Sequence, residues 1–246
     1  MRAAHAQPPR HRRIPLADGA RVRAGVLLRS DAPHPDHRPA DVAWPPRTVI
    51  DLRSSGELAE QHPLAAGGAT VHAVSLSRHM SVADMARHGG LLADGLEGLY
   101  RTTMQESGAK VAEVVALVAS AEPAVLLHCA AGKDRTGLVV ATVLASLGAA
   151  REHIVADYVR TRENMPAVIE RLTAEGEPGA EAMRALVQDH PEGVDAPPSA
   201  IEAALDVLDA AGGARAWLAG HGVGEDVLDR LADRLVDSEP FDTVGA

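Results

Sequence analysis

The chain has one cysteine in 246 residues. That count excludes an intrachain disulfide and an all-cysteine zinc site, and it suits a reducing compartment in which a reactive thiolate survives. Aromatic side chains are scarce, with two Trp, two Tyr and one Phe. A core must therefore be built from Ala, Val and Leu. Positive charge is in deficit: 24 Lys and Arg stand against 34 Asp and Glu, a net charge of −10. Such a chain offers no broad nucleic-acid surface, and any phosphate it binds must meet a local concentration of positive field. No apolar run is long enough to span a bilayer, and residues 1–13 lack the apolar stretch of a signal peptide. Internal repeats and long low-complexity tracts are also missing. The expectation is a cytoplasmic protein without integral membrane contact, with export by a signal-independent route left open. Residues 1–13 read as a disordered basic arm, 14–236 as a single domain and 237–246 as a flexible tail.

What the chain does have is concentrated in residues 124–148. Ala124, Val125, Leu126 and Leu127 lead into His128 and Cys129, and an apolar run resumes at Leu138. Between them lie Ala130, Ala131, Gly132, Lys133, Asp134, Arg135, Thr136 and Gly137. This pattern predicts a buried strand, a tight loop and a buried helix. A loop of that length can wrap one tetrahedral anion, with the N–H groups of Ala130, Ala131, Gly132 and Lys133 turned inward and the helix N-terminus adding its partial positive charge. Arg135 can grip two oxygens of the anion through parallel hydrogen bonds. The same field favours the thiolate form of Cys129, and Thr136 is placed to offer that thiolate a hydroxyl. Gly132 and Gly137 permit a close approach that a Cβ would hinder. A nucleotide-binding phosphate loop is excluded, because Asp134 stands where Ser or Thr must follow the lysine and Leu127 where the first glycine belongs.

Elsewhere, residues 22–28 predict one or two strands around Gly25, and 48–52 and 71–76 two more. Helices are expected around 91–104, 109–121, 151–162, in two pieces within 165–190, after Pro198, and over 224–236. Val111, Val114, Val115 and Val118 mark one helix face, and Ser199-x-x-Glu202 has capping-box spacing. This alternation implies an α/β fold with a parallel sheet. Asp51 and Arg53 end one strand, where such sheets gather functional groups; they can equally be an ion pair capping the short helix expected at Glu57 and Glu60. Arg29, Ser30 and Asp31 are either a capped turn or a floor for the loop. His34, Asp36 and His37 lie on a proline-broken stretch with no partner cluster for a metal.

Taken as a motif, His128-Cys129-x-x-Gly132-Lys133-x-Arg135-Thr136-Gly137 resembles the signature of the cysteine-dependent protein-tyrosine phosphatase superfamily. The Lys133-Asp134 pair resembles its bacterial tyrosine/phosphoinositide branch, typified by a mycobacterial member. Residues 26–31, 48–54 and Asp157-Tyr158 fit the same branch, while the stretch Arg12 to Leu16 departs from it. The resemblance implies a three-layer α/β fold, its mostly parallel central sheet flanked by helices, with extra C-terminal helices. It implies phosphomonoester hydrolysis through a phosphocysteine, with Cys129 as nucleophile, Arg135 and the loop N–H groups holding the oxygens, and Thr136 assisting the departure of the thiolate. No metal and no organic cofactor are required. The substrates implied are phosphotyrosine proteins and phosphoinositides, with Lys133 as an extra cation for the more highly charged ones. His128, Gly137 and Arg53 read as supports.

Residues 165–190 resemble a helical lid over the site, and an ordinary packed helix pair is equally open. The acid loop common in tyrosine phosphatases is missing, since Trp44-Pro45 is followed by Pro46, which cannot transfer a proton. The acid is then Asp51 or Asp134. Asp134 is flanked by cations that keep it ionised and suit it to organise the loop, so Asp51, partly desolvated, is the expected acid. Two other classes remain: a phosphate-binding pseudophosphatase, and a thiol redox or sulfur-transfer enzyme using Cys129. Against the latter stand the oxyanion-seeking Lys133 and Arg135 and the lack of a second, resolving cysteine.

Overall fold

The computed structural model describes residues 14–34, 39, 42–76, 80–81, 94–177 and 179–237. The readings made of residues 1–13 and 238–246, of Asp36 and His37, and of Pro178 lie outside the described residues. The frame is a parallel sheet of β2 (Leu27–Ser30), β3 (Thr48–Asp51), β4 (Thr70–Ala73) and β5 (Val125–His128), in the order β2-β5-β3-β4. A two-residue strand β1 (Arg21–Val22) pairs antiparallel with β6 (Val236–Asp237). In register, Ser30, His128, Asp51 and Ala73 lie level, so all four carboxyl ends open on one edge. All four residues of β5 are buried, as expected of a central parallel strand covered on both faces.

Side chains alternate across the sheet with period two, and the alternation divides the core. Leu27, Ile50, Val125 and Leu127 join the large cluster that contains the helices. Leu28, Val49 and Leu126 join a small cluster with Leu64 and Ala69, against which Val42 and Trp44 pack. The sheet is thus the middle of three layers. The helical layer comprises α1 (Gly95–Glu106), α2 (Gly108–Ser120), α3 (Asp134–Ser146), α4 (Arg151–Val159), α5 (Met165–Leu172), α6 (Ala180–Asp189), α7 (Pro198–Ala210), α8 (Ala214–Gly220) and α9 (Glu225–Leu235). The thinner layer is formed by residues 42–69, with 3-10 turns at Ser55–Glu57 and Ala65–Gly67.

α3 is buried along nearly its whole length because α1, α2, α4, α7 and α8 surround it. That is why its sequence is apolar all round rather than striped. Three local expectations differ. Glu60 belongs to no helix, and Glu57 closes a single 3-10 turn. The capping box at Ser199 does not form: Pro197 and Pro198 open α7, and Ser199 Oγ hydrogen-bonds Glu97 on α1 instead. α8 was masked in the sequence by the glycine pair Gly212-Gly213 that precedes it.

The loop after β5 passes against the chain leaving β2. Gly132 has φ +69°, and a Cβ added there would lie 2.4 Å from the Ser30 carbonyl oxygen. Gly132→Ala therefore combines about 1–2 kcal/mol of left-handed strain with about 1–3 kcal/mol of overpacking between two backbones. Denaturant unfolding of this variant should show a stability loss of about 2–5 kcal/mol. An unchanged midpoint would mean that the loop does not depend on this approach.

Candidate active site

Along His128 to Lys133, five of the six carbonyls are turned outward, each to a different donor. His128 O accepts from Leu52 N–H at 2.9 Å, Ala130 O from Ala32 N–H at 3.0 Å and Lys133 O from Gly137 N–H at 2.8 Å. Cys129 O accepts from His128 Nδ1 at 3.1 Å, and Gly132 O from Arg29 Nη2 at 3.0 Å. Among the described residues, no N–H of residues 130–133 donates a hydrogen bond. Trans peptide planes that point their carbonyls out point their N–H groups in, and successive inward N–H groups form an anion-binding concavity. Cys129, buried and unpaired, opens this loop, and α3 begins where it closes.

Two buried arginines fix it. Arg29 on β2 donates to Asp157 Oδ2 at 2.8 Å and to Thr161 Oγ1 and Gly132 O at 3.0 Å. Removing one partner of such a buried pair typically costs about 3–5 kcal/mol, so the Gly132 carbonyl is held firmly. Arg135 on α3 is gripped end-on by Glu57, with Nη1 to Oε2 at 2.6 Å and Nη2 to Oε1 at 2.8 Å. Its Nε is buried without a partner. The fork geometry of guanidinium thus leaves one edge, Nε with the second hydrogen of an Nη, for a bidentate oxyanion. Burial disfavours the charge on Arg135, but Glu57 and the charges of Cys129 and Asp134 more than offset this and hold its pKa above the ordinary value. Burial likewise raises Glu57, yet Arg135 and Ser54 hold it below its usual range.

Asp51 lies elsewhere. It keeps step with Val49, and His128 with Leu126, so both side chains point to the face of the sheet opposite to the one that Ile50, Leu127 and Cys129 share. Arg53 Nε and Nη2 hold both Asp51 oxygens at 2.8–3.2 Å, and Arg53 N–H adds a bond at 3.0 Å. Burial raises the Asp51 pKa, but Arg53 and His128 lower it further, and the carboxyl sits below its ordinary value. The expected desolvation is real, and the ion pair outweighs it. A strand end was near enough to suggest reach; the pleat turns the side chain away.

On that same face His62 Nε2 and His128 Nε2 are 3.0 Å apart, and Asp51 Oδ2 is 3.7 Å from His128 Nε2. Three possible metal ligands therefore meet. The hydrogen bonds assign other roles. His128 Nδ1–H donates to the Cys129 carbonyl, so its Nε2 is an acceptor. His62 Nδ1 accepts from Leu64 N–H at 3.2 Å, so its Nε2–H is the donor to His128. A cation would need that proton moved to Nδ1, against the Leu64 N–H, and would need an Asp51 oxygen that Arg53 already holds. The donor set does not fit a metal. Burial pushes His128 down to about 4 and also lowers His62, which keeps the pair neutral.

On the Cys129 face, Asp134 Oδ1 accepts from Tyr100 Oη at 2.7 Å, and Tyr100 Oη meets Tyr158 Oη at 2.8 Å. Burial first, then the charge of Asp134, push both phenols above their ordinary pKa. Lys133 is buried, and its ammonium donates to Gly193 O at 2.5 Å and Asp195 O at 2.8 Å and lies 3.1 Å from Asp134 Oδ1. The ammonium thus makes two hydrogen bonds to carbonyls and one ion pair. The expected free cation is instead a pin that ties residues 193–195 to the loop. Thr136 Oγ1 is buried without a partner. In the described residues around the expected lid, α5 and α6 are docked: Met165, Val168, Met183 and Leu186 are buried, and Arg171 pairs with Asp31 at 2.6 Å.

Sequence reasoning missed four partners: Glu57, His62, Tyr100 and Thr161. Only Glu57 left a local signal, the Ser54-x-x-Glu57 spacing, which reappears here as Ser54 N–H and Oγ donating to the Glu57 carboxylate.

Parts of the chain are similar in sequence to known proteins. The chain is 47% identical over 76 residues to the triple specificity protein phosphatase PtpB of Mycobacterium tuberculosis, a stretch covering 30% of this chain and 27% of that protein. It is 47% identical over 38 residues to a protein of Cupriavidus necator named as a tyrosine-protein phosphatase, covering 15% of this chain and 14% of that one. The matched stretches thus span under a third of either relative. The family model described as the tyrosine phosphatase family extends over residues 12–237, from before β1 to the last residue of β6. A match of that extent takes in the sheet, the helical layer and the loop together, and the chain belongs to the tyrosine phosphatase family.

Proposed function

We propose that the protein hydrolyses phosphotyrosine through a phosphocysteine intermediate. The observation that carries this reading is the loop itself: five carbonyls bonded outward, Cys129 at its mouth, and the open Nε edge of Arg135 at its end. The Cys129 thiolate attacks phosphorus in line while the inward N–H groups and Arg135 hold the equatorial oxygens. The P–O bond breaks, and the leaving phenolate takes a proton from a carboxylic acid. Water then attacks the thiophosphate, the same carboxylate takes the water's proton, and sulfur departs as thiolate. Thr136, whose buried hydroxyl otherwise lacks a partner, is suited to stabilise that sulfur.

Asp134 takes the acid's role in this reading, in place of Asp51. It stands in the loop, on the Cys129 face, and its side chain keeps 10% exposure; Asp51 is turned away and locked to Arg53. Asp51 becomes a support, through His128, for the Cys129 carbonyl. We read α5 and α6 as a closed lid, latched by Arg171 to Asp31 and by Lys133 to Gly193 and Asp195.

The substrate range of PtpB, named a triple specificity phosphatase, brings phosphoinositides into this proposal. Lys133 has a different part in this reading, which the hydrogen bonds of its ammonium to two carbonyls and its ion pair with Asp134 support.

Three outcomes follow. Cys129→Ser should lose several orders of magnitude in turnover of an aryl phosphate and still bind vanadate, since the alcohol is a poor nucleophile at its ordinary pKa; wild-type-like turnover would end the mechanism, and vanadate binding with an inactive wild type would favour a pseudophosphatase. Asp134→Asn should slow substrates with poor leaving groups by roughly 10²–10⁴ and spare activated ones. If Asp51→Asn gives that pattern instead, the roles are reversed. Lys133→Ala should lower kcat/KM for phosphotyrosine and phosphoinositide substrates by similar factors; a loss concentrated on the phosphoinositides would show that Lys133 reads charge on the substrate.

A further inference from the structure

Asp134 receives both of its close contacts on one oxygen. Tyr100 Oη donates to Oδ1 at 2.7 Å, and the Lys133 ammonium lies 3.1 Å from the same atom. Among the described residues no hydrogen bond reaches Oδ2. Tyr100 has a single proton, and it goes to Asp134. The bond between the two phenols must therefore run from Tyr158 to Tyr100. Direction is settled along the whole chain: Tyr158 to Tyr100 to Asp134 Oδ1. Lys133 can only donate, so Oδ1 is fixed as an acceptor whether or not the carboxyl is protonated.

The sequence is arranged to allow this. The chain contains two tyrosines, on α1 and α4, and both enter this one network. Their rings pack edge-to-face with centroids 6.0 Å apart. Gly137, the last residue of the motif, makes room for it: a Cβ there would lie 3.0 Å from Tyr158 Cδ2 and 3.2 Å from Cε2. The preceding residue, Asp157, anchors α4 to Arg29 and hence to the Gly132 carbonyl. One helical turn thus positions the loop with one side chain and its acidic residue with the next.

We infer that Tyr100 and Tyr158 are positioning residues for the proton-transfer step: they lock Asp134 Oδ1 and so confine the transferable proton to Oδ2. The inference rests on the reading of Asp134 as the acid. When Oδ2 gives its proton to the leaving oxygen, negative charge develops on the carboxylate, and the phenol chain strengthens toward Oδ1 as it does so. The network therefore acts more in the transition state than in the ground state, where it raises kcat rather than lowering KM.

The test is leaving-group dependence, measured on the full chain with aryl phosphates of graded phenol acidity. Tyr100→Phe removes the donor and keeps the ring. It should lower kcat for the poorest leaving group roughly tenfold, as expected for one charge-assisted hydrogen bond, while KM and the rate on the most activated substrate change little. Tyr158→Phe should show the same selectivity with a smaller loss. In the Asp134→Asn background neither substitution should reduce kcat further. Equal losses on all substrates, or full additivity with Asp134→Asn, would overturn the positioning role. If Asp134→Asn itself lacks leaving-group selectivity, the acid assignment has failed; if it has that selectivity and Tyr100→Phe does not, only the present inference has failed. A probe that leaves the core packing nearly intact covers the case of a variant that does not fold. Fluorotyrosine incorporation labels only these two positions, and both fluorine resonances should move on Asp134→Asn and stay in place on Cys129→Ser. Resonances that ignore Asp134→Asn would also overturn it.

Discussion

The structure depends on one constraint: the peptide groups around Cys129 must point their N–H bonds at a common centre, so five of the six carbonyls from His128 to Lys133 find partners elsewhere. A buried carbonyl without a donor is costly, and no single element can serve all five. β3's extension supplies Leu52, β2's extension Ala32, β2 itself Arg29, β5 His128, and α3 Gly137. The parallel sheet with β5 between β2 and β3 is the arrangement that brings these donors around one loop. Fold and site are in this sense the same problem, and the functional edge is where the register leaves four strand ends level.

The pleat then assigns the residues at that edge to two separate networks. Cys129, Asp134 and the phenols occupy the helical side. Asp51, Arg53, His128 and His62 occupy the other, and His128 Nδ1 links them to the Cys129 carbonyl. Two aspartates near one strand end thus have unlike surroundings, set by which way the backbone turns their side chains rather than by distance along the chain. The arginines follow the same division of labour. Arg29 spends both of its Nη groups on Asp157, Thr161 and the Gly132 carbonyl, all parts of the protein's own frame. Arg135 is held by Glu57 along one edge and open along another, which is what a residue needs if it is to be rigid and still receive a ligand.

Much of this was legible in the sequence. The strand, loop and helix around Cys129 announce themselves because a buried strand and a buried helix are both uninterrupted apolar runs, and the polar residues between them are spaced for one anion. The strand at 48–52 and the helix at 109–121 were visible from β-branched content and a valine stripe. What stayed hidden was whatever depends on long-range pairing. Glu57, Tyr100 and Thr161 lie 78, 34 and 132 residues from their partners, and no local pattern marks an acid that holds an arginine or a phenol that holds an acid. The partners of Lys133 were hidden for the same reason: the carbonyls of residues 193 and 195 that accept from it lie some sixty residues away. The placement of Asp51 was hidden because position at a strand's end is readable from sequence, while the face it presents depends on register.

The strand order has a consequence for how the molecule comes into being. β2 and β3 do not pair with one another; each pairs with β5, which is synthesised more than seventy residues after β3. During vectorial synthesis the early strands wait as an open gap, and insertion of β5 closes it. The residue that follows β5 is Cys129. A nascent chain therefore completes its sheet and buries its one cysteine in the same step.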